Sequence, residues 1–115
     1  MAGTTEQATL MVQLAAWGSA IGADSGAIWA DEFDPDTANV ADPAVRPILN
    51  WNETVGTLVK QGLLDRELVY DWLWVAGVWE RVGPAALRAR QKAGVPQLYE
   101  NFEALAVGQR DLAAV

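Results

Sequence analysis

From Arg66 to Val82 the chain is apolar around most of a helical circumference. Leu68, Trp72, Val75, Trp79 and Val82 recur at helical spacing in one stripe, and Val69, Leu73 and Ala76 widen it. A helix apolar on so many sides needs neighbours to cover it, so this segment belongs at the centre of a helical bundle. Gly83-Pro84 interrupts the pattern, because proline lacks the N–H that would bond residue 80. The pattern resumes at once, which predicts one kinked helix over 65–93. Trp74 and Val78 fall outside the main rows, one turn apart on a shared face. They are the expected anchor of an interface, a role in which exposed aromatics are enriched.

The other helices follow from periodicity and punctuation. Thr4 or Thr5 caps a helix over 5–17, with Leu10, Leu14 and Trp17 at helical spacing. Gly18 to Gly22 reads as its stop, and Gly18, Gly22 and Gly26 together read as a flexible connection. Asp24 or Ser25 caps a short helix through Phe33, ended by Asp34-Pro35. Asp42-Pro43 opens the next helix, which runs to about Gln61 and carries Val45, Ile48, Asn52, Val55 and Val59 on one stripe. Gly62 is its left-handed cap, and Asp65 caps the central segment. Gly94 ends that segment. Pro96 opens a last helix in which Leu98, Phe102 and Leu105 face inward, with fraying expected after Gly108. No stretch alternates as a strand does. The expected fold is all-α, a compact bundle of about five helical segments in a single domain over 1–115. Acidic N-terminal helices and a loop occupy 1–41, and a helical core occupies 42–108.

Charge and composition exclude several functions. Residues 1–45 hold seven acids and no Lys or Arg; the remainder holds eight acids and eight bases, so the net charge of -7 belongs to the N-terminal third. Such a surface disfavours nucleic acid, which is bound through basic groups that displace counterions. It equally disfavours an anionic membrane. The longest apolar run, Leu68 to Trp79, contains Asp71 and is shorter than the ~20 residues of a spanning helix. With no targeting segment visible, a soluble, cytoplasmic protein is expected. The chain has no cysteine and no histidine, which removes thiol chemistry, thiolate metal sites and the commonest general base.

The remaining candidates rest on carboxylates, amides and arginines. Asp31, Glu32, Asp34 and Asp36 would suit a hard cation, but the calcium-loop pattern fails: position six from Asp34 is Asn39 and position twelve is Val45. No metal and no cofactor is expected. Asn52 enters an apolar stripe with Glu53 beside it, and buried polar groups need partners. Arg81, Arg88 and Arg90 are the expected partners for Glu53. The leading expectation is a protein-interaction or structural module, self-associating or bound to a protein partner, and not an enzyme. The alternative is a small-molecule-binding or carboxylate-based enzymatic domain centred on Glu53, with Glu103 as the second carboxylate. Asn50, Glu53, Arg88 and Glu103 are the candidate binding residues, and no catalytic residue is assigned.

From about residue 42 the chain resembles a known helical family. The stretches that carry the resemblance are Arg46-Pro-Ile-Leu-Asn-Trp-Asn-Glu53, Leu58-Val-Lys-Gln-Gly-Leu-Leu-Asp65, Leu68-Val-Tyr-Asp71 and Leu98-Tyr-Glu-Asn-Phe-Glu103. They resemble domain of unknown function 4760, whose pattern joins an Asn and Glu three apart, a Gly-Leu-Leu-Asp turn and a Tyr-Glu-Asn-Phe-Glu segment. The resemblance implies an all-helical fold and supplies no activity. By similarity, Asn50, Glu53 and Glu103 are the polar residues of interest.

Overall fold

The computed structural model describes residues 4–23 and 26–113. Five α-helices carry the fold: α1 (Thr5–Ile21), α2 (Arg46–Lys60), α3 (Arg66–Trp72), α4 (Val75–Ala93) and α5 (Glu100–Ala113). Among the described residues there is no strand. α5 packs chiefly against α2 and α4, and α1 lies against α2. Ile48, Leu49, Val55, Val69, Val75, Val82 and Phe102 fill the core.

Several helix ends use the signals expected of them. Thr4 accepts the Gln7 N–H through its hydroxyl, and Asp65 accepts that of Glu67. Gly22, Gly62 and Gly94 all take positive φ, the conformation that glycine adopts without a Cβ penalty. Asp42 caps the turn leading into α2, its carboxylate accepting the Ala44 N–H at 3.0 Å. Regular helix begins at Arg46, with Pro47 still in the first turn.

Several expectations are corrected. Helix α1 runs through Gly18 to Ile21, because Gly18 is a buried packing position and not a stop. A Cβ at Gly18 would come within 2.8 Å of Trp51 Nε1. The short helix expected to end at Phe33 is only a 3-10 turn, Gly26–Trp29. Its expected caps, Asp24 and Ser25, lie outside the described residues. The last helix begins at Glu100, not at Pro96, and continues past Gly108 to Ala113.

The largest correction concerns the kinked helix expected over 65–93. It is two helices, and the division falls at Leu73–Trp74, not at Gly83–Pro84. Helix α4 runs unbroken through Pro84. The freed carbonyl belongs to Glu80, an exposed residue, so losing its intrahelical bond costs little. At the division, Leu73 is extended (φ -124, ψ 140). The orphaned backbone groups are taken by one side chain of α5: Gln109 Nε2 donates to Leu73 O at 2.8 Å, and its Oε1 accepts the Ala76 N–H at 2.9 Å. One amide thus closes α3 and opens α4. Gln109→Leu keeps the volume and removes both bonds. It is expected to lower stability by about 1–2 kcal/mol in a denaturant titration, the cost of unpaired part-buried backbone groups.

Candidate functional site

Two regions collect the polar and aromatic residues that the sequence singles out. The first is the junction of α2 with the start of α5. Tyr99 precedes α5 with φ 59, a left-handed conformation uncommon for a bulky residue. An aromatic side chain there offers no capping acceptor, and the first amides of a helix have no intrahelical partner. Glu53 supplies the cap from α2. Its Oε1 accepts the Phe102 N–H at 2.9 Å, and its Oε2 accepts from Asn101 Nδ2 at 2.9 Å. Asn101 Nδ2 also donates to Thr57 Oγ1 at 3.1 Å. A carboxylate at a helix N-terminus further gains from the helix dipole.

Gly56 completes this seat one turn along α2. An added Cβ would lie 2.5 Å from Asn101 O and 2.6 Å from its carbonyl carbon. The absent side chain is what lets the two backbones approach. Two of the stretches that carry the family resemblance, Arg46 to Glu53 and Leu98 to Glu103, are therefore the two sides of one junction.

The arginines do not join Glu53. Arg81 Nε donates to Ile28 O at 2.7 Å and its Nη2 to Phe33 O at 3.2 Å, while its guanidinium lies 5.2 Å from the centre of the Phe33 ring. Arg88 donates to Pro35 O and Ala38 O, fastening the acidic loop to α4. Arg90 pairs with Glu103 at 2.9 Å and donates to Leu98 O at 2.7 Å. Asn50 accepts from the Tyr99 hydroxyl at 3.3 Å. Burial pushes the Tyr99 phenol above its ordinary pKa; Arg46 opposes the shift and Glu53 adds to it. Of the four candidate binding residues, Asn50, Glu53 and Glu103 thus border the start of α5 in separate pairings. Arg88 is held at the 34–43 loop instead.

The second region is a cavity of about 300 Å³ where α1, the 3-10 turn, α2 and the α3–α4 division meet. Trp29, Trp51, Trp72 and Trp74 all line it, with Ile48 and Asn52 among the other lining residues. None of the lining residues is charged. Each indole has a physical reason for its place. Trp51 reaches across from α2 and donates its ring N–H to Leu14 O at 2.8 Å. Trp72, the last residue of α3, meets it edge-on, with centroids 5.6 Å apart and planes at 78°. The division after Trp72 releases Trp74 from the helix stripe. Its ring lies over Gly77, where a Cβ would come within 2.5 Å of three ring carbons. Trp74 then stacks on Trp29, at 5.7 Å between centroids and 5° between planes.

These two rings remain in solvent: Trp74 is 64 % exposed and Trp29 46 %. Val78 lines the same cavity and is half-buried. The sequence marks Trp74 and Val78 through their position off the main stripe. Trp29 and Trp72 are not marked, because their convergence on one cavity, Trp29 through Trp74 and Trp72 through Trp51, depends on the division at residues 73–74.

The chain belongs to the family described as domain of unknown function (DUF4760), whose model matches residues 5–108. No characterised protein and no solved structure matches it. Among the described residues, no helix is long and apolar enough to cross a membrane.

Proposed function

We propose that this domain is a protein-interaction module that receives an aromatic anchor from a partner segment in the tryptophan-walled pocket. The observation that carries this reading is the stacked Trp29–Trp74 pair, held in solvent at the rim of a concave apolar site. A large exposed aromatic surface beside a pocket is a common setting for binding hot spots.

Charge directs the choice of partner. Asp31 and Glu32 follow Trp29 within three residues, and no Lys or Arg precedes Arg46. A two-fold contact through this face would set those acids against their own copies, which disfavours self-association there. A different chain with Lys or Arg flanking the anchor is favoured. The alternative centred on Glu53 draws no support, because both of its carboxylate oxygens are engaged in holding α5.

Selection of random displayed peptides against the domain tests the reading. Enrichment of Tyr or Trp beside basic residues is expected, and Trp74→Ala should abolish it while leaving the helical circular-dichroism spectrum unchanged. A consensus retained by Trp74→Ala, or none at all, would overturn the proposal. A homodimer in sedimentation equilibrium that Trp74→Ala dissociates would give the face to a second copy instead.

A further inference from the structure

Asn52 is 5 % exposed and lines the tryptophan pocket. Its Nδ2 donates to Ile48 O at 2.8 Å. That bond sets the amide's orientation, since a flipped amide would place oxygen against oxygen. Its Oδ1 accepts no hydrogen bond among the described residues. Nor is it fully enclosed, as the unpaired Arg90 Nη2 is. A nearly buried side chain that lines the cavity therefore keeps one acceptor open.

We propose that the pocket selects a neutral aromatic side chain that carries one hydrogen-bond donor, a tyrosine phenol or a tryptophan indole, and that Asn52 Oδ1 receives the donor. This rests on the reading that the pocket takes a partner's side chain. Three features point to that class of guest. Indole walls favour an aromatic ring, in edge-on or offset geometry. The absence of charge in the lining disfavours a buried carboxylate, which would find no counter-charge there and would face the negative indole surfaces. An apolar guest would cover Oδ1 and leave it unpaired, whereas a donor satisfies it. Sites built around a polar group reject analogues that lack the complement for this reason. A volume of about 300 Å³ suits one ring.

The experiment compares p-cresol with toluene, which has the same ring and methyl group without the hydroxyl. Binding is followed by tryptophan emission excited at the red edge, where the phenol does not absorb. The wild-type chain is expected to bind p-cresol about five- to tenfold more tightly than toluene, the worth of one hydrogen bond. Asn52→Leu, close in shape, should bring the two affinities together. Equal affinities in the wild type, or an undiminished preference in Asn52→Leu, would overturn the role of Asn52. The wild-type comparison needs no variant to fold.

A blocked Lys-Tyr-Lys peptide separates the two layers of inference. Binding tighter than p-cresol at low salt supports a basic partner segment. If p-cresol binds with its preference intact and the peptide does not bind, the partner-segment reading fails while Asn52 keeps its selectivity. If neither aromatic probe binds, both inferences fall.

Discussion

Gly56→Ala is expected to destabilise the fold by about 2–4 kcal/mol, even though alanine is the better helix former by about 1 kcal/mol. The new methyl would sit 2.5 Å from Asn101 O, and the obstructing atoms are backbone, which has no rotamer to yield. Relief requires α5 to move away from α2. Phe102, fully buried directly after the contact, would move with it. The same shift would stretch the Glu53 cap, so packing and hydrogen bonding fail together. In a domain of this size such a loss lowers the melting midpoint by about 10 °C. Gly26→Ala is the matched control: nothing lies within 4 Å of its added Cβ, and a change within about 0.5 kcal/mol is expected. Thermal or denaturant unfolding of the two variants makes the comparison.

The second large effect is that of Glu53→Ala, expected to cost about 2–4 kcal/mol. Charge-assisted hydrogen bonds are worth roughly twice neutral ones, and the truncation strands a donor beside the core. The stranded group is the Phe102 N–H, while Asn101 Nδ2 loses one of its two acceptors and keeps Thr57 Oγ1. Glu53→Gln keeps an acceptor for Phe102 but turns an amide toward Asn101, so about half the loss is expected. Binding at the tryptophan pocket should survive both changes once each variant is assayed below its melting transition. A carboxylate serving a ligand site would show the opposite pattern, with stability retained and binding lost. Urea titration alongside p-cresol binding distinguishes the two.

Helix existence was legible wherever a local signal sets it. Asp65, Gly62 and Gly94 terminate helices by interactions within a few residues of themselves, so their roles could be read directly. The division at Leu73–Trp74 could not. Its periodicity is that of a continuous helix, and the group that stabilises the break is Gln109, which comes from α5. The partners of Glu53 were hidden for a related reason. Charge complementarity pointed to arginine, but the donors are a backbone N–H and an asparagine amide at a helix start. Every residue except proline carries such an N–H, so composition holds no trace of which one is orphaned. The tryptophan pocket was half-visible. Trp74 lies off the main rows and Asn52 breaks an apolar stripe, yet only the fold brings them to one cavity.

The central claim divides these residues by role: Glu53 and its neighbours hold the helices together, and the tryptophan pocket does the binding. Titration of the isotope-labelled chain with p-cresol, followed in proton–nitrogen correlation spectra, tests that division most directly. The expected result is that the indole resonances of Trp29, Trp51, Trp72 and Trp74 shift together with the Asn52 side-chain amide, while Trp17 and Trp79 stay in place. Shifts centred instead on Asn50, Glu53, Asn101 and Glu103, with the four indoles unmoved, would contradict it.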